Sequence, residues 1–270
     1  MLADLHFDDR VALVTGAAAG LGRAIATGFA ERGAAVSLVD RDAEALAAVV
    51  QELGVGGATA AVVSHVGDVR DPTVVDEWMA TTIDRLGRID SVVNNAGGTF
   101  KAAFADVGAK GQQALVDENF TSVTHVVRAA VPHMVEGGGG SIVNVTSIEA
   151  HRACPGFAVY AAMKAAVANL TASLALEYGH HGIRVNCVAP DAIPTEGELF
   201  LAVGDDPAAD GGYGHTTALG RWGEPIEIVG PVLFLASDLA SFVTGTTLHV
   251  DGGNDAARGW RRKPDGSFQP

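Results

Sequence analysis

Residues 11–22 read Val11-Ala12-Leu13-Val14-Thr15-Gly16-Ala17-Ala18-Ala19-Gly20-Leu21-Gly22, and this stretch decides the fold. Its first five residues are uncharged, three of them β-branched, and predict a buried strand over Val11–Thr15. Three glycines spaced Gly-x-x-x-Gly-x-Gly follow at once, and a helical pattern over 21–32 begins on the last of them. A strand feeding a helix through a glycine turn directs backbone amides and the positive end of a helix dipole at one point. That geometry suits a pyrophosphate, and the glycines Gly16, Gly20 and Gly22, with Ala19 and Leu21, let backbone approach it closely. The spacing differs from the Gly-x-Gly-x-x-Gly of the commoner dinucleotide fingerprint.

Outward from this turn, short β-branched runs alternate with alanine-rich helical patterns. Strands are predicted at 11–15, 35–40, 60–64, 89–94, 141–146, 184–189 and 247–250, and helices at 21–32, 43–53, 73–86, 112–135, 158–178 and 225–235. Alternation of this kind marks βαβ units and an α/β protein with a parallel sheet. With no repeat and no linker, residues 1–270 are expected to form a single domain. Two stretches break the pattern. Residues 196–217, rich in Gly and Asp around the apolar run Leu199-Phe200-Leu201-Ala202-Val203, read as a substrate-loop insertion. Residues 256–270, with Arg258, Arg261, Arg262 and Lys263, read as a polar C-terminal surface arm.

Composition narrows the functional classes. Lys plus Arg is 18 against 32 Asp plus Glu, a formal charge of −14, which argues against nucleic acid as a partner. An anionic cofactor must then be held by local donors. Two distant cysteines, Cys154 and Cys187, exclude a disulfide framework and a cysteine metal cluster, so no metal is expected. The first ten residues lack a basic stretch followed by an apolar core, and no run offers about 18 uninterrupted apolar residues. A cytoplasmic protein without membrane contact is expected.

Asp40 closes the second strand in Val36-Ser37-Leu38-Val39-Asp40. A carboxylate there accepts hydrogen bonds from ribose hydroxyls and repels a 2′-phosphate, which favours NAD over NADP. Arg41 follows directly and could grip that phosphate, but the glycine loop itself carries only Ala17, Ala18 and Ala19 between its first glycines. Asp68 and Val69 follow the third strand, within reach of an adenine, and Asn94-Asn95-Ala96-Gly97 closes the fourth. Farther on, Tyr160 and Lys164 stand four apart, on one helix face, with Ser147 thirteen residues before the tyrosine. A phenol with a pKa of about 10 is a poor base near neutrality. A fixed ammonium beside it favours the phenolate and makes proton exchange with an alcohol feasible.

Together these motifs resemble the short-chain dehydrogenase/reductase family. The match runs from about Arg10 to Gly253 and includes the glycine loop, Asp40, Asp68-Val69, Asn94-Asn95-Ala96-Gly97, Asn119, Ser147, Tyr160 and Lys164. It continues through Leu219-Gly220-Arg221-Trp222-Gly223-Glu224-Pro225, Phe234-Leu235-Ala236-Ser237-Asp238 and Val250-Asp251-Gly252-Gly253. The resemblance implies one Rossmann-like, doubly wound domain with a seven-stranded parallel sheet. It implies that Tyr160 exchanges the proton, Lys164 lowers its pKa and binds the nicotinamide ribose, and Ser147 holds the substrate oxygen. Asn119 would interrupt its helix and anchor a relay water to Lys164. Pro190, Ile193 and Thr195 fall among the family's nicotinamide contacts. The family also commonly forms homotetramers, with one interface made by the two long helices at 112–135 and 158–178.

One departure stands out. Where the family has Pro-Gly after the sixth strand, this chain has Pro190-Asp191. Asp191 either points to solvent, the expected reading, or takes part in substrate selection. Substrate contacts are expected from 98–104, 148–157 and 195–217, with Glu149 and His151 ionisable near Ser147 and Phe157 supplying apolar surface beside Phe100, Leu199, Phe200 and Tyr213. Such a mixed pocket fits a hydroxylated ring, for example a steroid, a cyclic alcohol or a sugar-derived acid. The leading expectation is an NAD-dependent enzyme interconverting a small secondary alcohol and a ketone. An NADP-dependent 3-oxoacyl thioester reductase and a non-catalytic NAD-binding protein are the alternatives.

Overall fold

The computed structural model describes residues 5–55, 61–194, 217–263 and 265–269. Thr195, assigned above to the cofactor, and the 196–217 insertion apart from Thr217 lie outside the described residues. Seven strands form one sheet: β1 (Val11–Thr15), β2 (Ala35–Asp40), β3 (Val62–Val66), β4 (Ser91–Asn94), β5 (Gly140–Val145), β6 (Ile183–Pro190) and β7 (Thr247–Val250). Their order is β3-β2-β1-β4-β5-β6-β7, with every neighbouring pair parallel. Chain order therefore reverses between β1 and β4, and the strand ends diverge there into a crevice.

Helices cover both faces. On one lie α1 (Gly20–Ala30) and α2 (Ala43–Val55), which bury Ile25, Phe29 and Leu46 beside β1 and β2, and, further along, α7 (Val229–Ala236), which packs Val232 and Leu233 on the β5 and β6 side. On the other lie α3 (Pro72–Leu86), α4 (Ala109–Val116), α5 (Ser122–Glu136) and α6 (Ala158–Tyr178), whose core includes Trp78, Met79, Val126, Ala130 and Val167. Each large apolar side chain buried this way contributes about 1.5–3 kcal/mol. Asp71 caps α3 by accepting from the Thr73 amide at 2.9 Å, Pro72 occupies its first turn, and Gly87 ends it in a left-handed conformation. Among the described residues α6 is long and apolar enough to cross a membrane by composition. Its Lys164 is buried on the inner face, however, and the helix packs against β6 and β5 as part of the α/β layer.

The structure departs from the sequence reading at several elements. The predicted helix over 112–135 is divided: α4 ends at Val116, a π-helical turn spans Asp117–Thr121, and α5 resumes at Ser122. β3 begins at Val62, and the helix expected at 225–235 opens with a 3₁₀ turn over Pro225–Ile228 before α7. Past β7, a short helix α8 (Asn254–Ala257) leads into an antiparallel pair, β8 (Arg261–Arg262) with β9 (Phe268–Gln269), so the arm carries regular structure and exposes Trp260 and Phe268.

A buried polar chain ties α3 to β2. The Trp78 indole donates to Ser37 Oγ at 2.8 Å, the Ser37 and Thr82 hydroxyls lie 2.6 Å apart, and Thr82 donates to the Trp78 carbonyl at 2.9 Å. Ser37→Ala leaves the indole N–H without its acceptor inside the core, so it is expected to destabilise the protein by about 1–3 kcal/mol while sparing the site. Chemical denaturation followed by tryptophan fluorescence measures the loss.

Candidate active site

The crevice between β1 and β4 opens into a cleft of about 820 Å³, and most of the residues singled out from sequence line it. At one end the α1 turn supplies Gly16, Ala19, Gly20 and Leu21. Ala19 caps α1 without a side-chain hydrogen bond, so the first helical amides are left for a ligand. Gly22 does not line the cleft itself. A Cβ there would collide with the Gly16 carbonyl and the Asn95 amide, so its hydrogen is what lets α1 start this close to the turn. Asn95 in turn donates to the Thr15 and Gly16 carbonyls at 3.0 and 3.1 Å, fixing the turn against the end of β4.

Asp40 stands at the rim beside this turn. Its Oδ2 accepts from the Ala18 amide at 2.9 Å and its Oδ1 from the Asp42 amide at 3.0 Å, which aims the carboxylate into the cleft. Arg41 and Arg70, both lining this end, have carboxylate neighbours of their own. Arg41 lies 3.8 Å from Glu118, and Arg70 grips Asp68 through Nε at 2.9 Å and Nη2 at 2.5 Å. Arg70's hydrogen bond holds the Asp68 carboxyl below the usual carboxylate range. Sequence reasoning missed Arg70, whose pairing with Asp68 two residues away was legible as a tight Asp-x-Arg turn.

The other end of the cleft gathers Ser147, Tyr160 and Lys164. Ser147 ends β5 in extended conformation and opens a 3₁₀ turn, Ile148–Ala150, its Oγ accepting from the Glu149 amide at 3.2 Å. Tyr160 and Lys164 share the inner face of α6. Lys164 Nζ donates to the Val145 carbonyl at 3.0 Å and lies 5.7 Å from the Tyr160 ring centroid. Asn119 does not line the cleft but stands directly behind it. From the π-helical turn it donates to the carbonyls of Gly98 and Leu115 at 2.8 and 3.0 Å. Gly97 sits between the two: a Cβ there would lie 2.9 Å from Asn119 Oδ1 and 3.1 Å from Lys164 Nζ. Val69, Ala96, Pro190 and Ile193 also line the cleft.

Two substrate expectations need correction. His151 turns away from the cleft and meets His249 edge to face, ring centroids 4.9 Å apart. Burial and the neighbouring His249 push its pKa down. Asp191 is not a solvent-facing residue. Its side chain is 13% exposed, accepts from Asn254 Nδ2 at 2.6 Å and lies 3.6 Å from Arg152. The backbone absorbs the missing glycine one residue later, at Ala192, which takes φ +53°. Burial raises the Asp191 carboxyl above its ordinary value, with Asn254 and Arg152 opposing. Glu149 and Phe157 line the cleft as expected, joined by Lys101 and Cys154 from the same expected loops, 98–104 and 148–157, and by Trp222, which sequence reasoning did not place. Burial, then Glu149, pushes the Cys154 thiol up to about 12, so it is no nucleophile near neutrality.

The site fits a nicotinamide dinucleotide on its own features: a glycine-lined approach, an uncapped helix N-terminus, a ribose-facing carboxylate, and a Tyr–Lys pair at the far end. A family model described as Enoyl-(Acyl carrier protein) reductase matches residues 16–255. Gluconate 5-dehydrogenase of Gluconobacter oxydans (strain 621H) is 39% identical over 242 residues, covering 90% of this chain and 93% of that protein. The 3-oxoacyl-[acyl-carrier-protein] reductase of Thermotoga maritima is 36% identical over 249 residues, covering 92% and 99%. Among solved structures, a gluconate 5-dehydrogenase from Burkholderia cenocepacia J2315, in complex with NADP and tartrate, superposes with a TM-score of 0.87 at 36% identity, covering 94% of this chain and 98% of that one.

Proposed function

Because this chain belongs to the short-chain dehydrogenase/reductase family of oxidoreductases acting on alcohols and ketones, we propose that it is an NAD-dependent dehydrogenase of a small secondary alcohol, working as a ketone reductase in reverse. The observation that carries this reading is the single cleft that runs from the α1 turn and Asp40 to Ser147, Tyr160 and Lys164. The cofactor, when bound, takes up or supplies the hydride. Everything else falls to the protein. Tyr160 takes the hydroxyl proton in oxidation and returns it to the carbonyl oxygen in reduction. Lys164 holds positive charge beside the phenol, favouring its ionised form, and reaches the nicotinamide ribose. Ser147, pre-set by the Glu149 amide, donates to the substrate oxygen where charge develops. Asn119 fixes the backbone at Gly98 and, as the family resemblance implies, would anchor a relay water to Lys164.

Asp40 supports NAD, and the carboxylate partners of Arg41 and Arg70 strengthen that choice by occupying the cations that would otherwise meet a 2′-phosphate. Two observations favour NADP as a second reading. Arg41 keeps its side chain 65% exposed beside Asp40, and the Burkholderia cenocepacia relative binds NADP. That version would include the thioester reduction named for the Thermotoga maritima relative.

We read the working form as a cytoplasmic homotetramer. Both cysteines are free, and α6 presents an apolar outer face on which Leu176 is 87% exposed. Light scattering should give four times the 27.6 kDa chain mass, and a monomer at micromolar concentration would remove the tetramer reading.

Tyr160→Phe keeps the ring but removes the transferable proton, so kcat is expected to fall by at least about 1,000-fold while NAD still binds. Asp40→Ala should lower NAD affinity and narrow the NAD-to-NADP ratio of kcat/KM by about 10-fold or more. A panel of alcohols and ketones, followed by nicotinamide absorbance with each cofactor, measures both. Wild-type turnover faster with NADP at equal concentration would reverse the cofactor assignment, and near-normal turnover by Tyr160→Phe would reverse the proton-transfer assignment.

A further inference from the structure

The substrate end of the cleft carries a charge arrangement that proton transfer does not use. Glu149 and Asp191 both line it, their side chains 14% and 13% exposed. Arg152 lies between them, its Nη2 donating to Glu149 Oε1 at 2.7 Å and standing 3.6 Å from Asp191 Oδ2. Asn254, just after β7, donates to that same Asp191 oxygen at 2.6 Å. One guanidinium thus serves two carboxylates, which leaves the array with a surplus of negative charge.

Among the described residues, the other charges at the cleft stand apart from this array. Lys101 lines the cleft beside Gly156 but is exposed, where water and salt screen it. Lys164 is buried behind Tyr160 and bonded to the Val145 carbonyl. His151 faces His249. Glu118 lines the cofactor end and adds negative charge there.

Ionised carboxylates accept hydrogen bonds and donate none. Mostly withdrawn from water, they recognise hydroxyl hydrogens, and they penalise an incoming carboxylate more strongly than an exposed pair would. Asp191 is held for this task from two sides, by Asn254 on the carboxylate and by Val250, whose carbonyl accepts from the Asp191 amide at 3.2 Å. Its position after β6, next to the cofactor-facing Pro190 and Ile193, brings its carboxylate to the substrate rather than to a remote rim.

Resting on the oxidoreductase reading above, we infer that Asp191 and Glu149 make this site selective for uncharged polyhydroxylated substrates, namely vicinal diols and the matching hydroxyketones, and select against sugar acids and other hydroxy acids. The carboxylates accept from the substrate hydroxyl next to the reacting carbon, while Ser147 and Tyr160 hold the reacting oxygen. The substrate class thus differs from that named for the gluconate-oxidising relatives.

The test compares cyclohexane-1,2-diol and 2,3-butanediol with gluconate, using wild type, Asp191→Asn and Glu149→Gln. Each variant swaps a carboxylate for an amide of nearly the same shape, and a melting curve confirms folding. Wild-type kcat/KM for the diols is expected to exceed that for gluconate by about 10-fold or more, and each variant to narrow the ratio by about 10-fold. The change should sit in KM, which rises for the diols and falls for gluconate, while kcat for the diols stays within about 3-fold. Ligand-observed NMR on NADH-saturated protein reads the same discrimination in binding, without turnover. Gluconate binding as tightly as the diols, or a diol-to-gluconate ratio unmoved in both folded variants, overturns the inference. Diol-selective binding with no turnover of either class supports it and counts only against the oxidoreductase reading.

Discussion

The cleft exists because β1 and β4 are neighbours whose continuations leave in opposite directions, and Thr15 and Asn95 pin the point where they part. Thr15 Oγ1 accepts from the amides of Asn95 and Ala96 at 3.0 and 2.9 Å, and the Asn95 side chain returns two hydrogen bonds to the Thr15 and Gly16 carbonyls. These four bonds join two loops about 80 residues apart in sequence. They hold the glycine turn against the end of β4, with Ala96 beside Gly16 and Gly97 beside Lys164 and Asn119. Without them the strand ends would share a core but not a site.

From that latch two electrostatic regimes follow. At the α1 end, a protein of formal charge −14 offers an anion local donors instead of a general field: helix amides, with Asp40 held at the rim by the Ala18 amide. At the far end, buried charge is hydrogen-bonded in place but not neutralised: Lys164 donates to a carbonyl, and Arg152 serves both Glu149 and Asp191. Buried, hydrogen-bonded charges of this kind hold their geometry, which is what proton transfer and substrate discrimination require.

How much was legible in the sequence varied with the range of the forces involved. The β1–turn–α1 unit and the span of α6 rest on local pattern, and both emerged where the sequence placed them. The seven parallel strands followed from the alternation and the family resemblance, although β3 begins at Val62, later than expected. The split between α4 and α5 was not readable from periodicity, since apolar positions continue across it. Only the resemblance anticipated an interruption at Asn119, and its physical reason is tertiary: the Asn119 amide bonds Gly98 from the neighbouring loop. Asp191 failed most instructively. A loop carboxylate reads as solvent-facing by composition, and only Arg152 and Asn254, far away in sequence, make it an interior residue. His151 failed the same way, since its partner His249 lies on a strand almost 100 residues later.

The central claim, that this cleft moves a hydride between a nicotinamide and a hydroxyl-bearing carbon, is tested most directly by isotope transfer. The protein would be incubated with NADH deuterated at the transferable C4 position and with 2-hydroxycyclohexanone, and the product examined by NMR. The account predicts cyclohexane-1,2-diol carrying deuterium on the newly formed carbinol carbon, with one oxidised nicotinamide per product. Binding of the labelled cofactor without its oxidation, or a product whose new C–H bond carries solvent hydrogen, would contradict it.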